Sequence, residues 1–312
     1  MSLRIAIQMD EPASFNPKTD TTTMLGLEAQ KRGYTLHYYR ADELSYNHNT
    51  AQAPLRPLEF HESATHWFTA GEANPTPLEE MDVVLMRQDP PFDMAYITAT
   101  HILETLEDKT LVVNDPKAVR NAPEKWWMHQ YPHFIPPTTI TRDIDVIRHF
   151  HAEHGSIVIK PLYGYGGRDV FVVHEDGANL LSLGEHFASI SREPVVLQKF
   201  LPEVKDQDRR VILMDGTVCG VVGRAPAAGE IRANFRVGGN AIAAELTEKQ
   251  QEICNVIGPA LADSGLLFAG IDFIGDWLTE VNVTSPTGLR GVQTLYGHDA
   301  SVDFWDAVEK RL

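Results

Sequence analysis

Between Leu3 and Tyr39 the chain reads as strand, helix, strand, and that succession constrains the first third of the molecule more than any other feature. Leu3–Met9 is a short apolar strand. Asp20 and Thr21–Thr23 offer N-caps to a helix running to Arg32, and Gly33 sits where a left-handed C-terminal residue belongs. Tyr34–Tyr39 resumes as a strand. A helix between two strands, in about 37 residues, is a βαβ unit and implies parallel pairing. A strand at Asp82–Met86, a helix around Asp93–Glu107 and a strand at Leu111–Asn114 continue the theme. Residues 47–78, polar and with four prolines, read as an irregular or hairpin excursion. The expectation is an α/β N-terminal domain with an open parallel sheet over residues 1–121.

The pattern then changes. A Trp/Tyr-rich segment, read as opening with a short helix at Glu124, leads to Pro136 and Pro137. Asp143–His154 is helical by spacing, with Ile144, Ile147 and Phe150 on one side. Ser156–Pro161 and Asp169–His174 are strands separated only by a glycine-rich loop, so they must pair antiparallel. Further strands are expected at Val195–Phe200, Arg210–Met214, Val218–Val222, Phe268–Ile274 and Leu278–Val283. This α+β part, with antiparallel sheets, divides into residues 122–203 and 204–312.

Charge narrows the function. The 312 residues carry 27 Lys+Arg against 43 Asp+Glu, a formal net charge of −16. So acidic a chain is a poor match for nucleic acid or an anionic membrane, which require clustered basic residues. An anionic small molecule in a local basic pocket stays open. Cys219 and Cys254 have no metal-ligand spacing and form no disulfide framework, which points to a reduced, cytoplasmic compartment. No run of about 18 apolar residues suggests a membrane span, and the N-terminal apolar stretch is too short for a signal segment.

Three constellations carry chemistry. The first is the loop Gly164-Tyr165-Gly166-Gly167, a hairpin tip able to lay backbone N–H groups over phosphates. Lys160 ends the preceding apolar strand, where a lysine must either snorkel or meet an anion. The second is Asp272, Glu280 and Asn282. Glu280 and Asn282 share a strand face, and two carboxylates with an amide oxygen are hard ligands suited to Mg²⁺. Asp272 joins that face if the intervening loop has three residues and leaves it if a two-residue Gly275-Asp276 turn forms. The third is the run Arg209, Arg210, Arg224, Arg232 and Arg236, which gives residues 204–240 an excess of two positive charges. Guanidinium forks suit carboxylate and phosphate, and the glycines among residues 223–239 suit a mobile lid. His61 and His66 resemble a zinc-protease pair but are one residue too far apart to share a helix face.

Taken together, the residues resemble the ATP-grasp ligases, and more closely the prokaryotic type of glutathione synthetase. The resemblance is carried by Met86–Asp93, Ile159–Leu162 with the glycine loop, Arg224–Pro226 through Arg232–Asn234, and Thr279–Thr287. Arg168-Asp169 after the glycine loop departs from the small or uncharged residues usual in relatives. The resemblance implies an ATP-grasp module after the α/β domain and roles for single residues. Lys125 and Lys160 would contact ATP phosphates under Gly164, Gly166 and Gly167. Gln198, Lys199, Phe200 and Leu201 would form the adenine hinge, with Asp208 near the ribose. Asp272, Glu280 and Asn282 would hold two Mg²⁺, or Mn²⁺. Arg210, Arg224, Arg232 and Asn234 would neutralise an acyl phosphate and substrate carboxylates, and Ser285, Thr287 and Gly288 would seat the substrate end. The activity implied is ligation of γ-glutamylcysteine and glycine with ATP, by an assembly of identical subunits. Another carboxylate–amine ligase, or a nucleotide-binding regulatory protein without catalysis, is the alternative.

Overall fold

The computed structural model describes residues 2–63, 65–225 and 240–312. The first sheet is built on β1 (Arg4–Gln8), β2 (Thr35–Tyr39), β3 (Ser45–Asn47), β4 (Thr50–Phe60), β5 (Phe68–Ala70), β6 (Asn74–Pro77), β7 (Val83–Met86) and β8 (Leu111–Val113). Strands β2, β1, β7 and β8 pair in parallel, as the βαβ pattern requires. The segment 47–78 is more ordered than its prolines suggest: β4 pairs antiparallel with β2, β3, β5 and β6 and makes the sheet mixed at that edge. Pro57, which has no N–H to give, takes part through its carbonyl, which accepts from Gly71 N at 2.9 Å.

Helices cover both faces of the parallel strands. On α1 (Thr21–Lys31), Asp20 caps the start, its Oδ1 accepting from Thr23 N at 2.6 Å. Ile5, Ile7, Val83 and Leu85 pack with Met24 and Leu25 of α1. Ala6, Val84 and Met86 point the other way, toward Tyr96 and Leu103 of α2 (Met94–Glu104) and Val119 of α3 (Pro116–Asn121). Strands buried on both faces read as continuous apolar runs, which is why periodicity alone finds them. The expected helix at Glu124 does not form; after α3 the chain turns and makes only a 3₁₀ segment at Trp127–Gln130.

The second sheet joins β9 (Thr138–Thr141), β10 (Ile157–Pro161), β11 (Phe171–Val173) and β12 (Val195–Lys199) in the order β11-β10-β12-β9, all antiparallel. With α4 (Ile144–His154) and α5 (Leu180–Ile190) it buries its own core of Ile147, Phe150, Ile157, Ile159, Leu180, Phe187 and Leu197. The third sheet joins β13 (Asp208–Met214), β14 (Thr217–Ala225), β15 (Asn240–Ala243), β16 (Phe268–Ile274) and β17 (Trp277–Asn282) in the order β15-β14-β13-β16-β17. Helix α6 (Glu248–Asp263) packs on it, and α7 (Leu289–Tyr296) and α8 (Ala300–Glu309) close the chain.

The third sheet is welded to the first. Val211, Ile271 and Phe273 share a core with Ala6 and Val84, while Phe268, Phe304 and Trp305 share one with Ile5 and Leu25. Trp305 Nε1 donates to Leu25 O at 2.8 Å, and the Asn114 amide bonds the backbone of Phe268 and Val283 at 2.7–2.8 Å. No helix of the described residues is long and apolar enough to cross a membrane.

Candidate active site

A cleft of about 1110 Å³, counting its open mouth, separates the second and third sheets. Alternation along the strands decides what enters it. On β10, Ile157 and Ile159 go to the core while Val158 and Lys160 face the cleft; on β12, Gln198 does the same between Leu197 and Lys199. The glycine turn from Gly164 to Gly167, Val170 and Val172, and the hinge from Gln198 to Leu201 form one wall. Asp208, Arg224, Asp272, Thr279 and Glu280 form the other.

The position of Asp272 turns on one extra residue. The hairpin closes with the two-residue Gly275-Asp276 turn, Ile274 pairing with Trp277 and Phe273 with Leu278. Regular pairing from that turn would leave Asp272 and Glu280 on opposite faces. Instead the register shifts between Asp272 and Phe273: Thr279 is the bulged residue, and Asp272 lies directly across from Glu280 and Gly270 across from Asn282. Thr279 Oγ1 donates to Asp272 O at 3.1 Å and so ties the bulge to the facing strand. The acidic residues therefore share the cleft face, although the three-residue loop that would have brought them together does not form.

Two lysines converge on Glu280. Lys160 Nζ lies 3.4 Å from Glu280 Oε1 and 3.4 Å from Gln198 Oε1. Lys125 Nζ lies 3.8 Å from the same Glu280 oxygen, donates to Glu124 Oε1 at 2.7 Å and to the Gly164 carbonyl at 2.5 Å. Burial opposes ionisation of Glu280, but Lys125, Lys160 and Arg224 outweigh it and hold its carboxyl below the usual range. Burial pulls Lys160 below its ordinary value; the same burial is overcome at Lys125 by Glu124 and Glu280, which raise it.

Glu124 is the residue that motif reading passed over. It lies on the first turn of chain after α3, its carbonyl accepts from Val281 N at 2.9 Å, and it lines both ends of the cleft. Burial pushes its carboxyl up, against the pull of Lys125. With the Asn282 amide nitrogen donating to Glu124 Oε2 (2.8 Å), its oxygen accepts from Arg210 Nη2 (3.2 Å). The signal available in sequence was its place before Lys125, which carries no spacing information of its own.

The arginines are already engaged. Arg210 grips Asp272 with both arms of its fork, Nε to Oδ1 and Nη2 to Oδ2, the latter at 2.8 Å. Arg224 donates from Nε to Asp208 Oδ1 at 2.6 Å and from Nη1 to Asp272 Oδ2 at 3.1 Å. Burial pushes the Asp208 carboxyl up to about 6 even so. Arg224 stays charged: Asp272 and Asp208 more than offset its burial.

Beyond Glu280 the cleft continues into a second hollow lined by Asp89, Tyr165, Gly166, Arg210, Asn282, Ser285 and Thr287. Gly288 does not line it. It supports Arg210 from below, with a φ of +125° that favours glycine, and a Cβ there would stand 3.0 Å from Ile212 Cδ1 and 3.7 Å from Arg210 Cγ. Arg232 and Asn234, with Arg236 and most of the expected 225–241 lid, lie outside the described residues.

A cleft between two antiparallel sheets, with Lys160 of one facing the acids of the other, behind a parallel α/β domain, is the arrangement of an ATP-grasp ligase. Solved structures agree on the fold: D-cycloserine synthetase superposes at a TM-score of 0.70 over 99% of both chains at 16% identity. An ATP-grasp RimK-domain protein from Sphaerobacter thermophilus superposes at 0.65 over 97% of this chain and 98% of its own, also at 16% identity. Residues 3–120 match the prokaryotic glutathione synthetase N-terminal domain and residues 124–297 the prokaryotic glutathione synthetase ATP-grasp domain. Glutathione synthetase of Bradyrhizobium diazoefficiens is 49% identical over all of this chain and 99% of its own length, and that of Yersinia pestis 42% over 99% and 98%. The chain belongs to the prokaryotic glutathione synthetase family. It is an ATP-dependent ligase that forms a C–N bond in glutathione synthesis.

Proposed function

We propose that the cleft joins γ-glutamylcysteine to glycine through an acyl phosphate, with the roles distributed as the side chains lie. A carboxylate is a poor electrophile, so it must first be activated. A cysteinyl carboxylate oxygen attacks the γ-phosphorus of ATP, the bond to the β-phosphate oxygen breaks, and ADP leaves. The glycine nitrogen then attacks the acyl carbon, the bond to the phosphate oxygen breaks, and the amine proton passes to solvent. Lys125 and Lys160 would hold the transferring phosphoryl group. Arg210 and Arg224 would trade part of their hold on Asp272 for the oxyanion of the tetrahedral intermediate and the substrate carboxylate. Ser285 and Thr287 line the hollow where the remainder of the peptide would rest. The observation that carries the reading is the meeting of both lysines, from separate stretches of chain, on the single carboxylate of Glu280.

Magnesium fits the donor set. Asp272, Glu280 and the Asn282 amide offer only hard oxygens on one face, and magnesium commonly relies on one or two carboxylates plus substrate phosphates. Among the described residues no group of three or more His, Cys, Asp or Glu stands preformed as a metal cluster, which suits an ion that arrives with the nucleotide. Two ions would be held by these three residues and would neutralise charge on the phosphates. Gln198–Leu201 would carry the adenine and Asp208 the ribose. A cytoplasmic assembly of identical subunits, with Arg232 and Asn234 helping to neutralise the acyl phosphate, completes the proposal.

The test is ADP release from purified protein with ATP, Mg²⁺, γ-glutamylcysteine and glycine. Release should require both co-substrates. Release that continues with either one omitted would remove the acyl-transfer assignment.

A further inference from the structure

The internal charges of the cleft leave little over for a polyphosphate. Lys125, Lys160, Arg210 and Arg224 face Glu124, Glu280, Asp272 and Asp208, one cation for each carboxylate, and all four cations are bonded or ion-paired to members of that set. An incoming nucleoside triphosphate brings several negative charges into this balanced lining. Among the described residues, two cations in the wall have no carboxylate partner, Lys199 in the hinge and Arg168 on the glycine turn.

Arg168 lines the cleft from the glycine turn. The turn that bears it also supplies the Gly164 carbonyl to Lys125 Nζ. Its guanidinium carbon stands 5.5 Å from the centroid of the Tyr165 ring, and its amide donates to the Tyr165 carbonyl at 3.3 Å. Gly166, Gly167 and Asp169 all have positive φ (63°, 76° and 54°), so the backbone coils tightly on either side of Arg168. Aspartate is among the few residues that tolerate this conformation without glycine. An exposed arginine is ordinarily a solvated charge of small consequence. This one is stacked on a ring that lines both the nucleotide cleft and the substrate hollow, on a turn whose glycines let the backbone approach a ligand closely.

We propose that Arg168 is a polyphosphate clamp: its guanidinium, steered by Tyr165, closes over the phosphates of bound ATP and ADP and sets nucleotide affinity without entering the bond-making steps. The inference rests on the cleft being the ATP site. A planar fork matches phosphate oxygens in a way an ammonium does not.

The experiment compares wild type, Arg168→Gln and Arg168→Lys. Binding of ADP and of adenosine is measured by calorimetry, and turnover against ATP and γ-glutamylcysteine by ADP release. Arg168→Gln should raise the ADP dissociation constant and the KM for ATP about tenfold, equivalent to about 1.4 kcal/mol. Adenosine affinity, kcat and the KM for γ-glutamylcysteine should stay within about twofold of wild type, since a lost charge-assisted contact to phosphate acts on nothing else. Arg168→Lys should fall between the two. The advantage of the wild type for ADP should also shrink as salt is raised. Unchanged ADP affinity in Arg168→Gln, or an equal loss of adenosine affinity, overturns the clamp. A wild-type protein that binds ADP yet fails to consume ATP would instead count against the ligase mechanism, and the ADP and adenosine measurements would still decide on Arg168.

Discussion

Replacing Asp272 by asparagine tests whether the arginines depend on it for stability as well as for chemistry. Asp272 is 1% exposed, Arg210 8% and Arg224 5%, so all three charges are essentially out of water. Removing one partner of a buried ion pair typically costs about 3–5 kcal/mol, because the other charge remains desolvated. Arg224 would keep Asp208 at 2.6 Å, whereas Arg210 would keep only the Asn282 carbonyl and whatever acceptor the new amide offers. The loss should therefore fall near the lower end, about 3 kcal/mol. For a chain of 312 residues that is a drop in Tm of about 5 °C, followed by circular dichroism without nucleotide. The decisive comparison adds Arg210→Met. With the stranded cation gone, the double variant should be more stable than the sum of the single losses by about 2–3 kcal/mol. Additive losses, or an Asp272→Asn variant within about 0.5 kcal/mol of wild type, would refute the view that these charges exist as one buried unit.

Other outcomes follow from the same geometry. Lys160→Met should lower kcat/KM for ATP by about 10²–10³, as loss of a preorganised contact to the transferring phosphoryl group does, and ADP-release kinetics would show it. Glu280 has a folded carboxyl pKa below its ordinary 4.5, so its contribution to stability is present above that value and is lost as pH falls below it. Urea midpoints from pH 6 down to pH 3 should thus decline more steeply for wild type than for Glu280→Gln. Gly258 on α6 abuts the Gly216 turn so closely that a Cβ would stand 2.2 Å from the Gly216 carbonyl oxygen. Backbone cannot move aside like a side chain, and Gly258→Ala should cost about 1–3 kcal/mol by thermal unfolding while leaving the KM for ATP unchanged. An unaltered Tm would contradict that packing.

The parallel strands and their helices were legible because strands buried on both faces are continuous apolar runs, and α1 carries its cap in the sequence as Asp20. The antiparallel pairing of β10 with β11 followed from a loop too short for a crossover. What resisted reading was the edge of the first sheet. The prolines at 54, 57, 75 and 77 suggest a break, yet β4 runs through Pro54 and Pro57 because partners on either side take only the groups it offers. Glu124 was equally hidden, since its importance comes from contacts to Val281 and Asn282 that lie far away along the chain.

The residue types alone determined the chemistry available: lysines and arginines for phosphate and carboxylate, hard oxygen donors for a divalent cation, a glycine turn for close backbone approach, and no protein nucleophile in a recognised setting. They also determined strand alternation, which sends Lys160 and Gln198 away from the core. Tertiary structure decided the partnerships. A single bulged residue, Thr279, brings Asp272 across from Glu280, and the approach of the second sheet brings Lys160 to the carboxylate that Lys125, beside β17, also meets. Register and sheet-to-sheet distance are sums over many weak contacts distributed through the chain, and no local pattern encodes them.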